Sequence, residues 1–350
     1  MHTDVLIIGG GQAGLAAAYF LTRHNIPYVV LDKGGEVGEV WKRRYDSLTL
    51  FTPRFYSTLP GMRLDGDPDG FPTKDEIAAA LRQYADDHQL NIHLGTEVLA
   101  LGKVEGEFEA ETNRGSYTAR HVIVATGPFQ TPWLPPMAKQ LDPDVVQMHS
   151  AGYRNPYDLR PGTVLVVGGG NSGAQIAAEL AASHRVVLSV AHRMTFLPLT
   201  IAGNSIFLWF DALGMLNAPS DSWVGRIVRN RPDPVFGFEL KRLIAARRIA
   251  LKPKTVRAEG RTVHFGDGTT LEADNVIWAT GFRFDYRWLR MEGALDESGR
   301  PLHERGVSPV EGLYYVGLPW QTSRNSALIG GVGKDAETIV RRIASGRARV

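Results

Sequence analysis

The 350-residue chain contains no cysteine. That absence removes every mechanism needing a thiolate: a redox-active pair relaying electrons from a flavin to a disulfide, a nucleophilic thiol, a cysteine-ligated zinc or an iron–sulfur cluster. Charge of one sign is nearly missing too. Thirty-nine Lys and Arg against thirty-seven Asp and Glu leave a formal net charge of +2, too little for a dedicated nucleic-acid binder. No uninterrupted apolar run is long enough to span a bilayer. The chain enters an apolar stretch at Asp4-Val5-Leu6-Ile7-Ile8, before a basic leader and apolar signal core could fit. A soluble, cytoplasmic protein is expected. No metal-ligating cluster or activated side-chain nucleophile stands out.

What the sequence does contain is an internal repeat, in a chain long enough for two domains with separate cores. The first copy reads Val5-Leu6-Ile7-Ile8, then Gly9-Gly10-Gly11-Gln12-Ala13-Gly14, then an alanine-rich helical stretch. The second reads Val164-Leu165-Val166-Val167, then Gly168-Gly169-Gly170-Asn171-Ser172-Gly173, then another. Each is a buried strand, a G-x-G-x-x-G turn and a helix start. The glycines allow a tight turn and close backbone approach to a pyrophosphate, and the helix N-terminus supplies amide donors. One such motif is weak evidence. Two, each between a strand and a helix, predict two dinucleotide sites.

The next strand of each copy separates the two nucleotides. Pro27 to Leu31 ends at Asp32, about twenty residues past the first motif, where a carboxylate accepts hydrogen bonds from an unmodified ribose. Asp32, with Lys33 beside it, suits FAD or NAD. Val186 to Val190 leads instead into Ala191-His192-Arg193 with no acid. Arg193, with or without His192, is either the partner of a 2′-phosphate, as NADPH requires, or a surface arginine. Each half then carries a matching strand and small-residue exit, Ala125-Thr126-Gly127 and Ala279-Thr280-Gly281. Leu94 to Tyr117, which includes Val98, alternates like a small antiparallel sheet, and Thr255 to Leu271 like its counterpart. The expected fold is α/β with two Rossmann-like domains, the NADPH domain inserted into the FAD domain. Its expected boundaries are 1–155 for the first part of the FAD domain, 156–275 for the nicotinamide domain and 276–350 for the return segment.

Taken together, these residues resemble a compact bacterial flavin-containing monooxygenase, a class B flavoprotein monooxygenase, from end to end. Gly38-Glu39-Val40-Trp41 resembles that family's Gly-Gly-x-Trp segment. His149 and Tyr153 match the back half of its fingerprint, whose front positions hold Pro143 and Val145 instead. The resemblance implies FAD and NADPH (NADH also being open), dioxygen and a small-molecule substrate. Hydride from NADPH would reduce the flavin, and a C4a-(hydro)peroxyflavin would oxygenate a thioether, an amine or a ketone. It places Thr52 and Gly317 beside the flavin, makes Trp41 either a flavin-side wall or a core aromatic, and has Ser326 open a C-terminal helix that is either directed at the flavin or an ordinary terminal helix. Where larger members carry an asparagine near the flavin, this chain has Phe51, which cannot hydrogen-bond. An NAD(P)H oxidase or reductase without stable oxygenation, and a non-enzymatic redox sensor for a transporter, are the alternatives. A homodimer is left open.

Two further stretches carry no motif. Ile206, Trp209, Phe210, Leu213 and Leu216 fall at helical spacing, which makes either a buried stripe or a substrate-channel or lipid-facing wall. Between Asp221 and Arg261, eleven Lys or Arg stand against four Asp or Glu. That excess is either a solvated surface or an attraction for an anionic dinucleotide.

Overall fold

The computed structural model describes residues 1–347; positions 348–350, the end of the expected return segment, lie outside the described residues. The unbroken apolar run after Asp4 forms the central strand His2–Ile8 of the first sheet, since strands covered on both faces take such runs. Tyr28–Leu31 pairs with it in parallel on one side and Gly115–Val124 on the other. Ile92–His93 extends the sheet beyond Tyr28–Leu31, and Leu313–Tyr315 joins in parallel along Val122 to Val124. The long strand Gly115–Val124 serves two partners. Its first half pairs antiparallel with Glu107–Thr112, which pairs in turn with Val98–Val104. These are the strands expected from the alternation between Leu94 and Tyr117.

Helices Gln12–Arg23, Lys74–Asp87 and Ile329–Arg347 cover one face of this sheet, burying Leu15, Leu21, Ile77, Leu81 and Ile339 against Val5, Ile7 and Val30. The other face is filled by Phe108, Tyr117, Tyr286, Leu289 and Tyr315. Each such side chain taken fully out of water contributes roughly 1.5–3 kcal/mol before the cost of ordering it.

The second sheet is wholly parallel, in the order Ile249–Lys252, Arg185–Ser189, Thr163–Val167, Asn275–Trp278, Val146–His149. Helices Asn171–Leu180 and Glu239–Ala245 pack on one face. The antiparallel strands Thr255–Glu259, Thr262–Phe265 and Thr270–Glu272 cover the other, with Phe265 against Val276 and Trp278. The chain enters this sheet at Val146, ahead of 155, and Asn275–Trp278 carries it past 275. Pairing sets both points: without Val146–His149, one edge of Asn275–Trp278 would have no partner.

The two crossings between the halves run side by side, with Thr131–Pro132 antiparallel to Phe282–Arg283. A second excursion leaves the inserted half at Phe196–Leu197 and returns at Val235–Phe236, with which that strand pairs. The helix within it, Ile206–Ala212, stops sooner than the apolar spacing suggests, because Gly214 adopts φ 68° just beyond it. The stripe is therefore split. Ile206, Phe207 and Leu216 are buried, whereas Leu208, Trp209 and Leu213 are exposed. Among the described residues, no helix is long and apolar enough to cross a membrane.

Candidate functional site

The first glycine turn is built by close backbone contact. Gly9 adopts φ 109°, and a Cβ there would lie 2.6 Å from the Ala125 carbonyl oxygen. At Gly14 a Cβ would lie 1.9 Å from the Gly9 carbonyl oxygen, so the helix can seat against the strand end only without a side chain. Gly11 is different: nothing lies within 4 Å of where its Cβ would be. It caps the helix Gln12–Arg23 with no side-chain acceptor for the first amides, leaving those donors to face open space. Asp32 follows on the neighbouring strand. Its carboxylate accepts from the Gly10 amide through one oxygen and from the Gly34 amide at 2.6 Å through the other. A carboxylate has about four acceptor sites. Two are spent fixing its orientation, and the others remain for ribose hydroxyls.

A cleft of about 640 Å³ opens over this turn, within the range that encloses cofactors. Of the residues expected from sequence, Gly9, Gly11, Gln12, Ala13, Asp32, Lys33, Trp41, Val98, Ala125, Thr126, Gly127 and Gly317 line it. Gly14 lies beneath it, as its packing role requires. Gln130 ties the exit together, its Nε2 donating to Thr126 Oγ1 at 3.0 Å and to the Gly127 carbonyl at 2.9 Å. The open cradle at Gly11, the oriented carboxylate and the volume fit a dinucleotide.

Other walls carry no sequence signature. Arg287, Trp288 and Arg290 reach the cleft because Leu101 and the return segment exchange backbone hydrogen bonds, Leu101 N–H to the Trp288 carbonyl and Arg290 N–H to the Leu101 carbonyl, each at 2.8 Å. The only hint was their position after the second Ala-Thr-Gly exit.

Phe51, Thr52 and Ser326 are not on the cleft wall. Phe51 is half-buried and stacks on Phe236 at 4.6 Å and Phe207 at 5.9 Å, both from the excursion of the inserted half. Thr52 is buried with its hydroxyl 2.7 Å from that of Ser57. Ser326 lies in a 3-10 turn, where its hydroxyl accepts from the Thr322 and Ser323 amides; the C-terminal helix starts later, at Ile329. Asp335, nearly two turns into that helix, is buried with its Oδ1 accepting from the Thr322 hydroxyl at 2.5 Å, and burial raises its pKa.

The second turn repeats the first. Gly168 adopts φ 121° against the Ala279 carbonyl, Gly173 seats against the Gly168 carbonyl, and Gly170 faces open space as an uncapped helix start. Asn171 is committed to the excursion: its amide donates to the Pro234 carbonyl and accepts from the Phe236 amide, each at 3.1 Å. Ser172 lies within reach of the Tyr45 hydroxyl, which donates to Gln175 Oε1 at 2.7 Å. The strand end differs. Gly9 N–H bonds the Leu31 carbonyl and Gly168 N–H the Ser189 carbonyl, so Val190 stands where Asp32 stands in the first copy. Its methyl and the Met194 sulfur cover Gly169, and no carboxylate is present there. His192 and Arg193 lie just beyond, both exposed.

Thr280 and Gly281 bind the linkers. The Thr280 hydroxyl donates to the Trp133 carbonyl, and the Gly281 carbonyl accepts from Trp133 N–H at 3.0 Å and from His149 Nε2 at 2.9 Å. His149 Nδ1 accepts from the Ala151 amide, which fixes the ring as the neutral Nε2–H form. Burial lowers its pKa, and the nearby Arg44 cation adds to that. Tyr153 is fully buried and donates to Glu179 at 2.7 Å.

Known proteins agree with this geometry. Residues 6–196 match the model of the pyridine nucleotide-disulphide oxidoreductase family. An uncharacterized CzcO-like oxidoreductase of Geobacillus kaustophilus is 52% identical over 97% of this chain and 98% of its own. The CzcO oxidoreductase of Bacillus subtilis, also uncharacterized, is 48% identical over 97% and 99%. In structure, a flavin-containing monooxygenase from Stenotrophomonas maltophilia superposes with a TM-score of 0.83 at 28% identity, over 99% of both chains. The chain belongs to the pyridine nucleotide-disulphide oxidoreductase family and is an oxidoreductase, one whose sequence holds no cysteine for a disulfide relay.

Proposed function

We propose that this oxidoreductase is an FAD-dependent, NADPH-using monooxygenase acting on a soft nucleophile, a thioether sulfur or an amine, or on a ketone. The observation that carries the proposal is the asymmetry of the repeat. One turn ends at an oriented carboxylate, Asp32, and the other at Val190 with exposed Arg193 beyond it. The monooxygenase neighbour at 28% identity and the missing thiols support oxygen rather than a disulfide as the electron acceptor. Bound FAD would supply the hydride acceptor and the centre that reacts with dioxygen. The Gly11–Ala13 amides would hold its pyrophosphate, Asp32 its ribose, and Trp41 and Gly317 would wall the cleft. Gly170 and the amides after it would hold the NADPH pyrophosphate, and Arg193 its 2′-phosphate. The overall change balances as NADPH, a proton, dioxygen and substrate giving NADP⁺, water and the oxygenated product.

A second reading, an NADPH oxidase releasing hydrogen peroxide, draws on Phe51, whose ring offers no hydrogen bond where larger relatives have an amide. NADPH consumption across sulfides, amines and ketones, with peroxide measured in parallel, separates the two. Oxygenated product tracking NADPH supports the monooxygenase. Peroxide with every substrate and no product selects the oxidase.

A further inference from the structure

Each crossing between the halves contributes one aromatic ring just after its glycine exit. Phe129 follows Gly127 and Phe282 follows Gly281, and the two rings meet edge to face at 5.2 Å. A single guanidinium lies over both: Arg44 Cζ is 5.2 Å from the centre of Phe129 and 5.3 Å from that of Phe282. No carboxylate among the described residues pairs with it, and burial lowers its pKa. Arginine nevertheless keeps its charge, so the ring faces are its principal electrostatic partners. Its neighbours in sequence look both ways. Trp41 lines the first cleft, and Tyr45 bonds Gln175 in the helix of the second glycine turn.

We infer that Arg44 is a positioning residue, clamping both crossings to the segment that joins the two nucleotide sites and so fixing the distance across which hydride passes. The inference rests on the function proposed above. Hydride transfer needs its reacting atoms about 3–3.5 Å apart, and a shift of about 1 Å can cost on the order of a hundredfold in rate. Two aromatic contacts, one to each crossing, resist rotation of the inserted half about the crossings in a way that a contact to one alone would not.

The test replaces Arg44 by Met, which keeps length and loses the charge and the flat face. At saturating NADPH, flavin reduction in Arg44→Met is expected to slow about tenfold to a hundredfold. Reduction by a simple N-alkyl dihydronicotinamide, which needs no dinucleotide site, should stay within about twofold of the unmodified protein, because Arg44 itself does not line the flavin cleft, which it touches only through the Phe129 ring. In the cofactor-free protein, amide hydrogen exchange should quicken in peptides covering 128–133 and 281–285 and not in the two sheets. Should Arg44→Met yield no folded protein, Arg44→Lys, which keeps the charge but not the flat face, is measured instead with the same expectations. Equal loss with both hydride donors would overturn the inference, making Arg44 part of the flavin site. A weaker NADPH affinity at an unchanged limiting rate would overturn it as well, by making Arg44 a phosphate ligand. So would unchanged rates and exchange. If NADPH fails to reduce even the unmodified protein, the proposed function falls, while the exchange measurement still decides whether Arg44 clamps the crossings.

Discussion

Asp32 and Val190 stand at equivalent strand ends, one turned by two backbone amides toward open space and the other packed flat on a glycine. In the function proposed above, that single exchange leaves the second ribose without an acceptor, and Arg193, exposed three residues later, would pair with the 2′-phosphate. A charge-assisted hydrogen bond contributes about 1.5–3 kcal/mol, or roughly ten- to a hundredfold in affinity. Arg193→Ala should therefore raise the KM for NADPH by that factor and leave NADH kinetics nearly unchanged; equal losses with both would remove Arg193 from the site. His149 gives a pH signature. Its folded pKa lies below the ordinary 6.5, because burial and Arg44 disfavour the cation and Nδ1 is needed as an acceptor. Below pH 6.5 the unfolded chain takes up this proton first, so stability should fall as pH drops toward the folded value. Urea midpoints at neutral and mildly acidic pH test this, and His149→Gln should flatten the slope.

At the scale of elements, the two glycine turns were legible because strand, turn and helix lie within one short stretch, even though the carbonyls they close on, Ala125 and Ala279, are distant in sequence. Their glycines nonetheless do different work. A methyl at Gly14 would press on the Gly9 carbonyl and force the helix off the sheet, costing about 1–3 kcal/mol or more. A methyl at Gly11 meets nothing. Gly14→Ala should therefore lower the melting temperature of cofactor-free protein, whereas Gly11→Ala should leave it nearly unchanged and weaken FAD binding. The reverse pattern would show that the cleft over Gly11 is not the pyrophosphate cradle. What the sequence concealed was non-local. Trp288 and Arg290 reach the cleft only through hydrogen bonds to Leu101, and the stripe from Ile206 to Leu216 read as one helix because spacing does not register the turn at Gly214. Ser326 looked like a helix start for a similar reason, since a capped 3-10 turn and a helix N-terminus share their residue types.

Over the whole molecule, the halves meet through the crossings, through Tyr45 on Gln175, and through the excursion that carries Phe207 and Phe236 to Phe51. This placement changes what Phe51→Asn should do. If the amide reached the flavin it would gain a hydrogen bond worth about 0.5–1.5 kcal/mol, but the substitution removes stacking of about the same size and leaves a polar group among aromatic rings. The variant should be less stable to denaturant and no better coupled, with at least as much peroxide per NADPH as the unmodified protein. A clear gain in coupling would show that the position acts on the flavin after all. The paired crossings have one more consequence. Because Thr131–Pro132 and Phe282–Arg283 are adjacent antiparallel strands, the inserted half leaves and rejoins the chain at nearly one point in space. An insertion whose ends coincide can be gained, exchanged or lost without moving its host. Two copies of one βαβ unit, nested and not in tandem, are what a duplication followed by such an insertion leaves behind.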